Sequence, residues 1–362
     1  MSGLRLIDLE GDAEARGQAH GRALKSAIAD NVETYLARFE SGGIARADAL
    51  AEGARWGERI ARFDEDYAAE MRAIAEAAGI DAAAVAMLNA RWELSYGITA
   101  RDALARDGCT AFAALPEITR TGTTLIGQNW DWLERLRGRL AVLRVRGRGH
   151  PDFLCITQAG IAGGMIGLNA AGIGLCVNGM TSDRDGRDPE RKPFHLRVRE
   201  ALRASSLATA LKAFLGSPRA CSVNVLFGHA GGEAIDVEAA PDTESVLYPE
   251  DGLITHANHF ERPPGVVSTL QWLRPGTLYR ARRLRRLFRQ ANRPVDVELA
   301  QELLADHFSR PHAICAHPDP DEVEIARTTT VTSAILDLGN RVLYATDGPP
   351  CENPYRAYPL DR

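Results

Sequence analysis

The sequence predicts an α+β layered fold, and three observations carry that expectation. Residues before about 108 repeat apolar side chains at helical spacing. From Thr110 the pattern shortens to apolar runs of strand length. Those strands come in groups joined by hairpin-length connections, with helices gathered between the groups. Strict alternation of strand and helix would instead have indicated βαβ winding.

Each element follows in chain order. Ile28, Val32, Tyr35, Leu36 and Phe39 fall on one face of a first helix. Ile60, Phe63, Tyr67, Met71 and Ile74 recur at spacings of three and four and predict one amphipathic helix. A third helix starts after Asp81 as N-cap and turns Val85, Leu88 and Trp92 inward. Strands are expected at 110–115, 123–128, 140–146, 152–158, 163–169 and 173–178. Asn169-Ala170-Ala171-Gly172 forms the turn between the last two. Helices near 193–204 and 206–215 follow. Strands return near 222–228, 233–238, 244–248 and 252–256. Helices near 277–291 and 295–305 precede a closing hairpin, 329–337 with 341–346, turning at Gly339-Asn340.

Composition narrows the class. The chain has 362 residues, 45% apolar and 25% charged, with net charge −5. A chain of this size buries a large core without covalent staples. Mild acidity argues against non-specific nucleic-acid binding. The first twenty residues lack the apolar core of a secretory signal. The charge-free run 153–182 is too rich in glycine, with Gln158, Asn169 and Asn178, to span a membrane. The six cysteines contain no CxxC pair, so the reading is of reduced thiols in a cytoplasmic protein. Leu360-Asp361-Arg362 is not a peroxisomal tripeptide.

Several positions invite chemistry. Cys109 follows Asp107-Gly108 where helix gives way to strand; an exposed thiol there serves as a nucleophile, and a buried one is a small apolar filler. Asn258, in Thr255-His256-Ala257-Asn258-His259, is a candidate oxyanion donor. His256 and His259 have helical metal-ligand spacing, but a strand sends them to opposite faces. Asp131 lies between Trp130 and Trp132, as an orienting carboxylate or a turn cap. Arg280, Arg282, Arg283, Arg285, Arg286 and Arg289 crowd one helix and read as a solvated face, or as a docking patch for a phosphate-bearing substrate. His307, His312 and His317 surround Cys315 and read as loop histidines. The glycine-rich stretch 160–179 lacks the GxGxxG of a dinucleotide site.

Taken together, the blocks His20-Gly21, Met87-Leu88-Asn89-Ala90-Arg91, Arg106-Asp107-Gly108-Cys109-Thr110, Gly127-Gln128-Asn129-Trp130-Asp131, Ala159-Gly160-Ile161, Thr255 to His259, and Arg327 resemble the acyl-coenzyme A:6-aminopenicillanic-acid acyltransferase (isopenicillin N acyltransferase) family of the N-terminal-nucleophile hydrolases. The resemblance implies a four-layer αββα sandwich. It implies self-cleavage between Gly108 and Cys109, giving a helical fragment 1–108 and a catalytic fragment 109–362 that remain associated as one folded unit. It implies an autocatalytically activated cysteine amidohydrolase or acyltransferase working on small amides or acyl thioesters, without cofactor, metal, nucleic acid or membrane. Cys109 would be the nucleophile, Asn258 the oxyanion donor, and Asp131 the group orienting the Cys109 amine. Arg327 would hold that network or a substrate carboxylate, while Thr110, Ser222 and Asn129 would contact substrate or support its pocket. Two departures stand out: Ala111 and Ala326 stand where the family pattern has hydroxyl residues. The rival expectation is an unprocessed, catalytically weak or inactive binding protein of the same fold.

Overall fold

The computed structural model describes residues 3–97, 108–188, 190–263 and 265–361. Arg106 and Asp107, which open the motif block at the expected cut, lie outside the described residues. A short strand, β1 (Arg5–Leu9), leads into α1 (Ala13–Ser41), whose N-cap Asp12 accepts a hydrogen bond from Ala15 N at 2.9 Å. Next come α2 (Arg46–Phe63), α3 (Glu65–Ala78), α4 (Ala82–Asn89) and α5 (Arg91–Gly97). The stripe from Ile60 to Ile74 is therefore two helices rather than one. Asp64 breaks it with extended backbone (φ −156°, ψ 102°), and its carboxylate accepts from Tyr67 N to start α3. Asp81 caps α4 as expected, but Trp92 belongs to α5, beyond a break at Ala90.

Strands β2 (Thr110–Ala114), β3 (Leu125–Leu133), β4 (Leu140–Val145), β5 (Phe153–Gln158), β6 (Ile166–Asn169) and β7 (Ile173–Gly179) follow. After α6 (Phe194–Leu202) and α7 (Leu207–Leu215) come β8 (Val223–His229), β9 (Glu233–Ala239), β10 (Glu244–Leu247) and β11 (Leu253–His256). The chain ends with α8 (Leu270–Leu273), α9 (Thr277–Gln290), α10 (Val297–Leu304), β12 (Thr328–Asp337), β13 (Val342–Ala345) and β14 (Arg356–Pro359). Among these, β1, β14 and the short α8 add to the elements that sequence patterning predicts.

The strands form two sheets. One runs β1-β4-β5-β6-β7-β8-β9-β10 and is antiparallel except for the β1–β4 pair; the other runs β11-β2-β3-β12-β13-β14 and is antiparallel throughout. Alternation fixes which way each side chain faces. In β2, Ala111 and Ala113 join Cys109 in the large core between the sheets, while Phe112 and Ala114 join a second core under α9 and α10. The layers are helices, sheet, sheet, helices. Gln128 ties the two sheets directly. Strand β6 is too short to pair with Val177, so the Gln128 amide accepts from Val177 N at 3.0 Å and donates to Asn178 Oδ1 at 2.9 Å.

Helices α1 and α3 pack closely because Gly17 and Gly21 leave room for α3; a Cβ on either would strike the backbone carbonyl of Glu70 or Ile74. The helices are then pinned to α6 and to the first sheet by buried polar joints. Glu70 Oε2 accepts from Arg16 Nε at 2.8 Å and from Arg199 Nη2 of α6 at 2.6 Å. Burial would raise the Glu70 carboxyl, but the two guanidinium groups outweigh it and hold the carboxyl below its usual range. Gly160 N donates to His20 Nε2 at 3.0 Å, and Asn89 Nδ2 donates to Gly160 O at 2.9 Å. Burial lowers His20 to about 4, which keeps its ring neutral and Nε2 able to accept. Tyr35 donates to Gln158 Oε1 at 2.9 Å and accepts from Trp132 Nε1 at 2.8 Å. Three blocks of the family resemblance, at His20, Asn89 and Gly160, thus meet in one structural joint.

Candidate active site

The candidate site lies at the start of β2, on the face of the second sheet covered by α9. Arg280 is its organising residue. Its Nη1 donates to Cys109 O at 3.2 Å and Thr110 Oγ1 at 3.2 Å and lies 3.4 Å from Asp131 Oδ2; Nη2 donates to Asn258 Oδ1 at 2.7 Å. One fork therefore joins β2, β3 and the turn after β11. Both partners of the ion pair are almost fully buried, with side-chain exposures of 4% and 2%. Asp131 Oδ1 also accepts from Thr330 Oγ1 at 2.6 Å. The Asn258 amide donates to Gly179 O at 2.9 Å, and its backbone N donates to Thr277 Oγ1 at 2.8 Å.

A cleft of about 150 Å³ opens beside this network. Gly108 and Asp131 line its floor, the start of α9 one wall, and His312, Ala313, Ala316 and Glu322 the other. Gly108 packs closely there: a Cβ at this position would stand 3.0 Å from Asp131 Oδ2 and would press that carboxylate aside by a few tenths of an ångström. Arg274, also in the wall, pairs with Glu322 at 2.9 Å.

The structure sorts the sequence candidates. It gathers Gly108, Cys109, Thr110, Asp131 and Asn258 around Arg280. Cys109 itself is fully buried, the second of the two settings the sequence left open, because strand alternation turns it toward the inter-sheet core. Arg327 is not in the network; its guanidinium donates to Glu322 O at 3.1 Å and Pro320 O at 3.4 Å. Asn129 lies beside the site, but its amide protons go to Leu304 O and Ile314 O, both at 2.8 Å. The Ser222 hydroxyl donates toward Asp185 Oδ1 at 2.6 Å, in a separate cluster with Ser182. His256 and His259 part as strand geometry requires: His259 Nδ1 meets Thr277 Oγ1 at 3.0 Å, and His256 faces Glu238.

Arg280 corrects the reading of its helix as a solvated face. Arg282, Arg286 and Arg289 are exposed, but Arg280 is buried and Arg283 pairs with Asp306. Its place was visible in the spacing. Arg280, Leu284 and Phe288 stand four apart, so the arginine continues the apolar row that faces the sheet.

His256, two residues before Asn258, is held as an imidazolium. Both ring nitrogens meet acceptors, Nε2 at Glu238 Oε1 (2.8 Å) and Nδ1 at Ala257 O (2.9 Å). Burial alone would lower its pKa, but the Asp236 and Glu238 carboxylates outweigh that and push it up to about 9.

Two sheets enclosed by helix layers, with a cysteine heading a central strand, define the four-layer α+β sandwich of the N-terminal-nucleophile hydrolase type. The sequence matches the family described as acyl-coenzyme A:6-aminopenicillanic acid acyl-transferase over residues 118–349, and the chain belongs to that family. The matched stretch holds Asp131, Asn258 and Arg280 and begins after Cys109. A relative, the 40 kDa form of acyl-coenzyme A:6-aminopenicillanic-acid-acyltransferase from Emericella nidulans, is 30% identical over 257 residues, covering 70% of this chain and 68% of the relative. Among solved structures, a Caenorhabditis elegans N-acylethanolamine-hydrolyzing acid amidase ortholog superposes with a TM-score of 0.50 at 14% identity, over 64% of this chain and 93% of that one. A conjugated bile acid hydrolase variant from Clostridium perfringens gives a TM-score of 0.48 at 14% identity, over 70% of this chain and 94% of that one. Among the described residues no helix is long and apolar enough to cross a membrane.

Two outcomes follow. Arg280→Ala strips a buried carboxylate of its cation and costs about 3–5 kcal/mol of stability in urea denaturation; Arg280→Lys recovers only part, since an ammonium lacks the planar fork. A loss below about 1 kcal/mol, the range of an exposed pair, would contradict the assignment. The second concerns pH. The folded pKa of His256, about 9, lies above the ordinary 6.5, so its contribution is complete below pH 6.5 and is lost as pH rises to 9. The melting temperature of wild type should fall across that window more steeply than that of His256→Gln, whose amide does not titrate. Equal slopes would show that the imidazolium contributes nothing.

Proposed function

We propose that the protein is a self-processing cysteine amidohydrolase or acyltransferase that needs no cofactor for its chemistry. Its precursor cuts itself between Gly108 and Cys109, and the mature Cys109 forms an acyl-enzyme with small amides or acyl thioesters. The observation that carries this reading is the setting of the junction. Gly108 opens on the cleft against Asp131, and the next carbonyl, that of Cys109, is held by the guanidinium that also holds Asn258.

In the precursor the Cys109 thiol loses its proton and attacks the Gly108 carbonyl carbon. The C–N bond breaks, the nitrogen takes a proton, and a thioester joins Gly108 to Cys109 Sγ. Water hydrolyses that thioester, leaving a carboxylate on Gly108 and a free amine and thiol on Cys109. The thiol is buried in the intact chain, so this reading requires the cut to open a path to it. A free α-amine has a reference pKa of about 7.7–8.0, so at neutral pH the Cys109 amine can take the proton of its own thiol. The thiolate then attacks the substrate carbonyl, and water or an amine releases the acyl group.

The neighbouring groups divide the remaining tasks. Asn258 Nδ2 carries two protons; one goes to Gly179 O, and the other serves the developing oxyanion. Asp131 orients the new amine. Arg280 keeps Asp131 and Asn258 in register, and Thr110 shares that clamp through its hydroxyl. Arg327 steadies the 320–322 backbone at the rim of the cleft, and Asn129 braces the 304–314 segment on its far side. Ser222 supports the neighbouring backbone through Asp185. The fragments 1–108 and 109–362 stay together because the joints at Glu70–Arg199, His20–Gly160 and Tyr35–Trp132 bridge the two sides of the cut. Six cysteines without a CxxC pair support a cytoplasmic setting for this chemistry.

Intact mass measurement under denaturing conditions should show wild type as two fragments meeting at 108/109, which co-elute in native size exclusion. Cys109→Ala should stay whole and lose activity by roughly a thousandfold or more. The burial of the thiol in the uncut chain favours the rival reading of an unprocessed binding protein, and the same measurement separates the two. A wild type that remains one chain under every maturation condition overturns self-processing, and if it also takes no acyl label at Cys109 it establishes the rival.

A further inference from the structure

Outside the Arg280 network, four side chains from two distant segments converge. His307 and Cys315 lie on the loop after α10 with His317, and Cys351 lies beyond β13. Their donor atoms all fall within 4.8 Å of one another. His307 Nε2 and His317 Nε2 are 3.1 Å apart, and Cys315 Sγ and Cys351 Sγ are 3.5 Å apart. His317 Nε2 is 3.7 Å from Cys315 Sγ and 3.4 Å from Cys351 Sγ.

Hydrogen bonding gives no account of this arrangement. A ring nitrogen offers one lone pair or one proton, yet His317 Nε2 faces three groups at once. A tetrahedral ion does account for it. With Zn–S of about 2.3 Å and Zn–N of about 2.0–2.1 Å, the edges of the tetrahedron are about 3.8 Å (S to S), 3.6 Å (S to N) and 3.3 Å (N to N). The four distances above agree with those edges to within about 0.3 Å. The other nitrogen of His317, Nδ1, lies 3.5 Å from the Glu352 carboxylate, the partner that commonly fixes a ligating imidazole.

We propose that His307, Cys315, His317 and Cys351 form a structural zinc site. Two thiolates and two neutral imidazoles balance a divalent ion, and thiolate with imidazole in a tetrahedron selects zinc over the hard cations. Loading releases the two thiol protons to solvent. Four protein ligands leave no open position, so the ion acts as a clip. It fastens the loop that supplies His312, Ala313 and Ala316 to the cleft wall onto the segment after β13. Spacing hid the site: the ligands read His-x7-Cys-x-His, with the last cysteine 34 residues beyond His317, and no CxxC pair occurs.

The test is metal content, independent of any activity. Protein purified without chelator should carry one zinc per chain by elemental mass spectrometry. Stripped protein reloaded with Co²⁺ alone should show a thiolate-to-cobalt charge-transfer band and the visible bands of tetrahedral cobalt. Cys351→Ser, altered at an exposed position, should weaken the charge-transfer band and lower zinc affinity by more than about a hundredfold, beyond the loss usual for a ligand's supporting partner. His307→Ala should lower affinity without abolishing the thiolate band. Wild type that folds but binds cobalt without a thiolate band overturns the proposal. So does a cobalt spectrum unchanged in Cys351→Ser, which marks an adventitious ion. A Cys315–Cys351 disulfide found in the freshly purified chain, with no zinc, assigns the pair to redox chemistry instead.

Discussion

The guanidinium of Arg280 is the point at which the separate parts of this molecule become one site. It reaches Cys109 just before β2 and Thr110 at its start, Asp131 on β3 and Asn258 after β11, three pieces of chain that no local interaction would align. A buried carboxylate is costly unless paired and hydrogen-bonded. Asp131 meets both conditions, through Arg280 and Thr330. The arginine is in turn held by the packing of α9, where Leu284 and Phe288 press the same helix face onto the sheet. The position of the Gly108–Cys109 junction thus depends on an apolar core as much as on charge.

The layered architecture explains why the thiol and the cleft lie on opposite sides of one strand. Cys109 faces the inter-sheet core, whereas Thr110 and the network face α9. The intact chain therefore buries the Cys109 thiol, and under the proposed self-cleavage the backbone that continues past it would be broken at residue 108. Polar joints far from the cleft have a different task. Glu70 ties α3 to α6, and His20, Asn89 and Tyr35 fasten α1 and α4 to β5 and the turn after it, all with buried, directional bonds.

Much of this was legible in the residues themselves. Strands from 110 to 178 announce themselves as short apolar runs between turn residues, and the cap at Asp81 follows simple chemistry. Asp64 was not legible as a break, because a solvated aspartate and one that caps a helix look alike in sequence. Asn129 and Arg327 carry motif positions, yet hydrogen bonding to backbone carbonyls defines where they point, and such acceptors leave no trace in residue identity. Arg280 was hidden among five other arginines and set apart only by its helical row. The histidine and cysteine cluster is the extreme case, since its members meet only through the closing hairpin that brings Cys351 back to Cys315.

The most direct measurement is to trap the covalent species. Matured protein incubated with an activated short-chain acyl ester, quenched in acid and digested, should carry the acyl mass on the peptide that begins at Cys109. The adduct should be lost on treatment with hydroxylamine, as a thioester is. An acyl group found on another of the six cysteines, or turnover with no adduct at residue 109, would contradict the account.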